Sequence, residues 1–372
     1  MMNLTEVKAG RALEGMDWDH LQFYVGNAKQ AAHYYATAFG FRIAAYAGPE
    51  TGVRGRASYL LEQNHLRFVL TSALSADDPI AQHVLRHGDG IRDVALRVGD
   101  ARAAYAAALA GGAIGVAEPS AERDQHGDMV RATIATYGDT VHSLIEREQY
   151  RGPFAPGFVA VAESPAARHP VGLVAVDHCV GNVGWNEMDR WADYYGRVFG
   201  FEQLVSFDDS DISTEYSALR SKVMSDRERR VKFPINEPAE GKKKSQIEEF
   251  LDFYGGAGIQ HVAIATDDIL QTIRALRGNG VRFLTTPASY YDALEARVGR
   301  IDEATETLRE LGILVDRDDR GYMLQIFTQP LQDRPTLFFE IIQRRGSLSF
   351  GKGNFKALFV SIEEEQARRG NL

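Results

Sequence analysis

Residues 17–41, DWDHLQFYVGNAKQAAHYYATAFGF, are answered later in the chain by residues 176–201, VDHCVGNVGWNEMDRWADYYGRVFGF. Both stretches read as a strand carrying Asp-His, a polar break, an amphipathic helix and a Phe-Gly-Phe ending. The glycine of that ending, Gly40 or Gly200, suits a helix C-cap, where the backbone turns left-handed. A second pair extends the repeat. GDGIRDVALRVGDARAAYAAALAGGA starts at Gly88 and GAGIQHVAIATDDILQTIRALRGNGV at Gly256, each an alternating strand, an Asp at a helix start and a closing glycine. The closing strands match too, TVHSLIER ending at Arg147 and TLFFEIIQR ending at Arg344.

Two halves of one plan follow, roughly residues 15–150 and 172–350. Each half repeats strand–helix–strand–strand–strand twice, so the fold class is α+β with two open β-barrel-like halves built from βαβββ modules. Such sheets curl, and their concave side can hold a ligand. The domains read as 1–150, a linker over 151–171 that carries Pro153, Pro156, Pro165 and Pro170, and 172–372. Near the C-terminus, Phe355, Leu358, Phe359 and Ile362 follow i, i+3, i+4, i+7 spacing, an amphipathic helix that must lie on an apolar surface.

Composition narrows the function. With 372 residues, 44% apolar and 25% charged, the chain has the profile of an ordinary globular protein. A net charge of −9 with no basic cluster beyond Lys242–Lys244 argues against nucleic acid or anionic membranes. The single cysteine, Cys179, cannot close an intrachain disulfide, which fits a reducing, cytoplasmic setting. By strand alternation it points away from its neighbour His178, as a small buried filler.

The two copies differ where chemistry would sit. The second half offers His178, His261 and Glu340 at places where the first holds His20, Asp93 and Ser143. Two imidazoles and a carboxylate on one face leave about three positions of an octahedral ion open, enough for a chelating substrate and O2. Zn or Ni would bind the same atoms, so the ligands alone leave the metal open. Taken singly, a strand histidine is usually a satisfied core or surface residue, and Glu340 on a one-sided strand could face water. Buried within LFFEII, an ionised Glu340 would need a partner.

From about Val174 onward the chain resembles the 4-hydroxyphenylpyruvate dioxygenases of the vicinal-oxygen-chelate superfamily. The strings that carry the resemblance are KFPINEPAEGKKKSQIEEFL at Lys232, GGAGIQHVAIAT at Gly255, LGILVDRDDRGYMLQIFTQPLQDRPTLFFEIIQR at Leu311, and SFGKGNF ending at Phe355. The first half then corresponds to the divergent copy without metal. The resemblance implies one Fe(II) per subunit on His178, His261 and Glu340, and conversion of 4-hydroxyphenylpyruvate and O2 to homogentisate and CO2 in tyrosine and phenylalanine catabolism. It implies catalytic roles for Ser217, Asn236, Gln246 and Gln325. It also implies a substrate pocket from those four with Gln260, Phe327, Asn354, Phe355 and Phe359. Neutral amides there can meet a phenol without imposing charge, and Phe rings can exclude water. Gln260 adjoins His261, so the two face opposite sides unless a bulge intervenes. A dimer or tetramer is expected. The C-terminal helix is a candidate lid hinged at Gly351 and Gly353. The alternatives are a hydroxymandelate synthase on the same substrate, a glyoxalase-like Zn or Ni isomerase, and a metal-free binding module.

Overall fold

The structure, a computed structural model, describes residues 13–162, 170–208 and 216–371. Pro165 of the linker stretch lies outside them, as do the ends of the 1–150 and 172–372 units. The first half forms β1 (Asp17–Tyr24), β2 (Arg42–Ala47), β3 (Arg56–Gln63), β4 (Leu66–Ala73), β5 (Gly90–Arg97), β6 (Gly115–Asp124), β7 (Gly127–Ala135) and β8 (Val141–Glu146). A short β9 (Val159–Ala160) follows. The second half forms β10 (Leu173–Asn182), β11 (Glu202–Phe207), β12 (Ala218–Ser225), β13 (Lys232–Ala239), β14 (Gly258–Thr266), β15 (Leu314–Arg317), β16 (Tyr322–Phe327) and β17 (Phe338–Arg345).

The sheet orders are β6-β7-β8-β5-β1-β4-β3-β2-β9 and β11-β12-β13-β10-β14-β17-β16-β15. Each is centred on an antiparallel pair, β1–β5 or β10–β14, flanked by parallel partners. That is the pairing of two βαβββ modules side by side. The module helices start and stop as their sequences demand. Asn27, Asp100 and Asp268 cap the helices Ala28–Phe39, Ala101–Ala110 and Ile269–Gly278 by accepting a backbone N–H. Gly40 and Gly200 close the helices Ala28–Phe39 and Met188–Phe199 with φ of 72° and 70°. No helix among the described residues is long and apolar enough to cross a membrane.

The main core lies between the halves. Phe339 of β17 packs on Tyr35, Phe39 and Phe68 of the first half, with ring centroids 5.3–6.1 Å away. Reciprocally, His142 of β8 sits against Tyr195, Phe199 and Phe233 of the second. Cys179 is buried in this core, on the side of β10 away from the metal candidates.

Two features lie outside the repeat. Three short helices, Ser289–Asp292, Leu294–Val298 and Thr305–Leu311, are inserted ahead of β15. The start of the 151–171 stretch is integrated into the first half. Phe154, Ala155 and Phe158 join Tyr150 in a cluster with Ala45, Leu60, Val69, Ala95 and Ile145, and β9 pairs with β2. These side chains fill the concave side of the first sheet, beside His20.

Candidate metal centre and its cavity

Strand register gives the metal candidates a common position in both copies. His178 lies opposite Ala263, and Val180 opposite His261. In the first half, His20 lies opposite Ala95 and Gln22 opposite Asp93. Ala263 aligns with Glu340 on the parallel β17, while Asp93 aligns with Val141, which puts Ser143 where Glu340 stands. In the first copy Asp93 accepts hydrogen bonds from both Ser143 N–H, at 2.9 Å, and Ser143 Oγ. That carboxylate is satisfied internally. In the second copy His178, His261 and Glu340 point to one spot, all three buried, with their ligand atoms within 4.8 Å of one another.

Glu340 Oε2 is 3.3 Å from His178 Nε2 and 3.7 Å from His261 Nε2. Both imidazoles have the other ring nitrogen engaged. His178 Nδ1 lies 2.7 Å from Asp177 Oδ1, and His261 Nδ1 lies 3.0 Å from Gln260 Oε1. An acceptor at Nδ1 fixes the proton there and aims the Nε2 lone pair at the shared spot. The Asp177 carboxylate is in turn gripped by Arg344 at 2.8 and 2.9 Å, with Lys232 at 3.2 Å. His261 is stacked on Phe338 at 4.8 Å, and His178 meets the edge of Phe350 at 5.4 Å.

Charge coupling dominates the site. Burial would raise the Glu340 carboxyl, yet the two imidazoles hold it down to about 2. Burial would lower His178, but Glu340 and Asp177 keep it above the usual imidazole value, whereas burial prevails at His261 and lowers it. Despite burial, Asp177 stays well below the ordinary carboxylate range, through Arg344 and His178. A buried anion facing two oriented imidazoles, with no thiolate near, is a nitrogen–oxygen donor set that fits a divalent first-row metal.

The three side chains end a cavity that is partly open to solvent. Asn236, Gln246, Gln260 and Gln325 line it, with Phe327, Phe355 and Phe359. Gln260 reaches the wall because β14 bulges there: the pairing steps from Val180–His261 to Gly181–Ile259, leaving Gln260 without a partner residue. The extra residue turns two successive side chains to one side. Ser217 and Asn354 make hydrogen bonds to neighbouring elements. Ser217 precedes β12 and donates to Glu363 on the C-terminal helix at 2.7 Å. Asn354 Oδ1 accepts from the Tyr290 hydroxyl at 2.6 Å, on the side of the inserted helices.

A hydroxyl that lines the cavity is that of Ser221, paired across strands with Asn236. Only that register could have found it. Phe338, by contrast, was recoverable from alternation, being two residues before Glu340 on one strand. The Asp177–Arg344 grip also left a signal in the repeat. The first copy keeps Asp19, His20 and Arg147, with His20 Nδ1 at 2.7 Å from Asp19 and Arg147 at 2.6 and 2.7 Å from the same carboxylate.

The C-terminal helix Phe355–Arg368 closes the cavity, with Phe355, Leu358 and Phe359 in the wall. Phe359 packs with Phe207, Leu219, Val223 and Ile247. At the turn before the helix, Gly351 has a left-handed φ of 79°, and a Cβ there would stand 2.5 Å from the Gln325 amide. The helix's far end is tied down by Glu249, which accepts from Arg369 at 2.7 Å and Asn371 at 2.8 Å.

Comparison with known proteins agrees with this architecture. The model of the Glyoxalase/Bleomycin resistance protein/Dioxygenase superfamily matches residues 18–147 and 175–326. A 4-hydroxyphenylpyruvate dioxygenase of Yarrowia lipolytica is 48% identical over 370 residues, 95% of this chain and 93% of its own. That of Dictyostelium discoideum is 48% identical over 364 residues, 95% of this chain and 99% of its own. Among solved structures, a mutant 4-hydroxymandelate synthase from Streptomyces coelicolor superposes with a TM-score of 0.85 at 33% identity, covering 94% of this chain and 98% of its own. The chain belongs to the 4-hydroxyphenylpyruvate dioxygenase family within that superfamily.

Proposed function

We propose that this protein is an Fe(II)-dependent dioxygenase that converts 4-hydroxyphenylpyruvate and O2 to homogentisate and CO2. The observation that carries the reading is the convergence of His178, His261 and Glu340 at the end of a cavity walled by phenylalanines and neutral amides. These three residues would hold the iron, which when bound supplies O2 activation and the oxidative decarboxylation of the keto acid. Asp177 and Gln260 keep the imidazoles aimed. Phe327, Phe338, Phe355 and Phe359 exclude water and sandwich the aromatic ring. Asn236, Gln246, Gln325 and Ser221 offer uncharged donors and acceptors to the phenol and the side chain, so the substrate is oriented without a fixed charge competing for the carboxylate.

The test is anaerobic loading with Fe(II), addition of the keto acid and O2, and identification of the product. Homogentisate with stoichiometric CO2 is the expected result. 4-Hydroxymandelate would replace the reading with that of the synthase, whose structure is similar. Turnover with Zn or Ni and no O2 uptake would replace it with an isomerase.

A further inference from the structure

A second cluster of metal-ligating side chains lies at the seam between the halves, away from the cavity. His83 and His87 sit one turn apart on the helix Pro79–His87, with ring centroids 4.4 Å apart, and Asp139 faces them from the turn between β7 and β8. Their candidate ligand atoms all lie within 4.8 Å of one another. His87 Nδ1 is 2.6 Å from the Tyr254 carbonyl of the second half, so that nitrogen carries the proton. His87 Nε2 lies 2.8 Å from Asp139 Oδ2, a contact that a proton on Nε2 or a cation between the two would satisfy. His83 Nε2 is buried and has no hydrogen-bond partner among the described residues. The orphaned His83 nitrogen beside the His87–Asp139 pair is what a shared cation would satisfy.

We propose that His83, His87 and Asp139 form a second divalent-metal site of the zinc class, distinct from the catalytic one. An i, i+4 histidine pair presents two nitrogens to one ion, and a carboxylate is a common third ligand. The Tyr254 carbonyl at His87 Nδ1 is the outer-shell acceptor that metal-ligating histidines usually have. Asp139 is exposed, which leaves an entry path. Arg86 also contacts Asp139, at 3.1 Å and on the same Oδ2 as His87. A metal would share that carboxylate with Arg86 or displace it. Because His87 is tied to Tyr254 and its helix packs against Gln246–Tyr254, a bound ion would brace the seam.

Metal stoichiometry tests this on the full chain, stripped of metal and dialysed anaerobically against Co2+ or Zn2+. The unsubstituted protein should take two equivalents, and His83→Ala or Asp139→Ala should take one. A chain carrying His178→Ala and His261→Ala should keep one equivalent, and its melting temperature should rise with Zn2+. In the iron-loaded His83→Ala protein, turnover should stay within twofold of the unsubstituted enzyme, separating the two sites. A single equivalent in the unsubstituted protein would overturn the proposal and leave His87 as an imidazolium bridging Asp139 and Tyr254. Two equivalents retained by both His83→Ala and Asp139→Ala would overturn it equally.

Discussion

At the residue scale, two exchanges separate the copies of the repeat: Asp93 and Ser143 in the first stand where His261 and Glu340 stand in the second. Ser143 hydrogen-bonds to Asp93 in the first half, whereas Glu340 faces two imidazoles in the second. Glu340→Gln removes the anionic ligand while keeping its shape. Breaking a buried, hydrogen-bonded charge pair costs about 3–5 kcal/mol, so iron affinity should fall a hundredfold or more, read by anaerobic iron titration. Asp177→Asn acts one step further out. It keeps the side chain's size but loses the charge that orients His178, and outer-shell changes of this kind cost about 10- to 100-fold in metal affinity. Equal affinity in Asp177→Asn and the unsubstituted protein would reduce Asp177 to a structural ion-pair partner. His178, His261 and Glu340 were legible in the sequence because the repeat supplied an internal control at every position. Ser221 was not, because its place opposite Asn236 is a matter of strand pairing across a hairpin. Ser217 and Asn354 were assigned to the pocket by resemblance alone, and they hydrogen-bond to Glu363 and Tyr290.

At the element scale, two devices shape the cavity. The bulge in β14 turns Gln260 towards the wall beside His261, a reversal that alternation by itself would forbid. The other is the C-terminal helix, whose apolar stripe was evident from spacing, while the surface it covers was not. Its stripe lies over the cavity, and its end is held by Glu249. Glu249→Ala removes charge-assisted bonds that are partly exposed and hence screened, about 1–2 kcal/mol. Amide exchange across residues 355–368 should quicken roughly 5- to 30-fold. Unchanged exchange would mean that the apolar face alone holds the helix. At the turn before it, Gly353→Ala would push a Cβ to within 2.4 Å of Asp316 Oδ1. The variant should lose about 1–3 kcal/mol by overpacking, measurable as a drop in the denaturant midpoint.

At the scale of the whole molecule, the halves are joined through their hydrophobic interior. Phe339, from the strand that carries Glu340, buries its ring among Tyr35, Phe39 and Phe68 of the first half. The strand therefore presents its ligand on one face and anchors the other half on its opposite face. Phe339→Ala should cost about 3–5 kcal/mol and destabilise both halves together, so calorimetry should show one transition at a lower temperature. Two separated transitions would instead mean that each half is stable on its own.

Repetition and periodicity in the sequence by themselves determined the modular plan, the helix caps at Asp100, Asp268, Gly40 and Gly200, and which copy carries the histidine–carboxylate trio. Those are local or self-referential properties, encoded by residue type and spacing along one chain. Tertiary structure alone decided that Phe154 and Tyr150 fill the first sheet, by which bulge Gln260 comes to face the cavity, and that Ser221 lines it. It also decided that the C-terminal helix covers the second sheet. Each depends on which strand lies beside which, and on a one-residue shift of register at a bulge. Along β14 nearly every residue is buried, so the sequence carries no in–out alternation that a one-residue shift would violate.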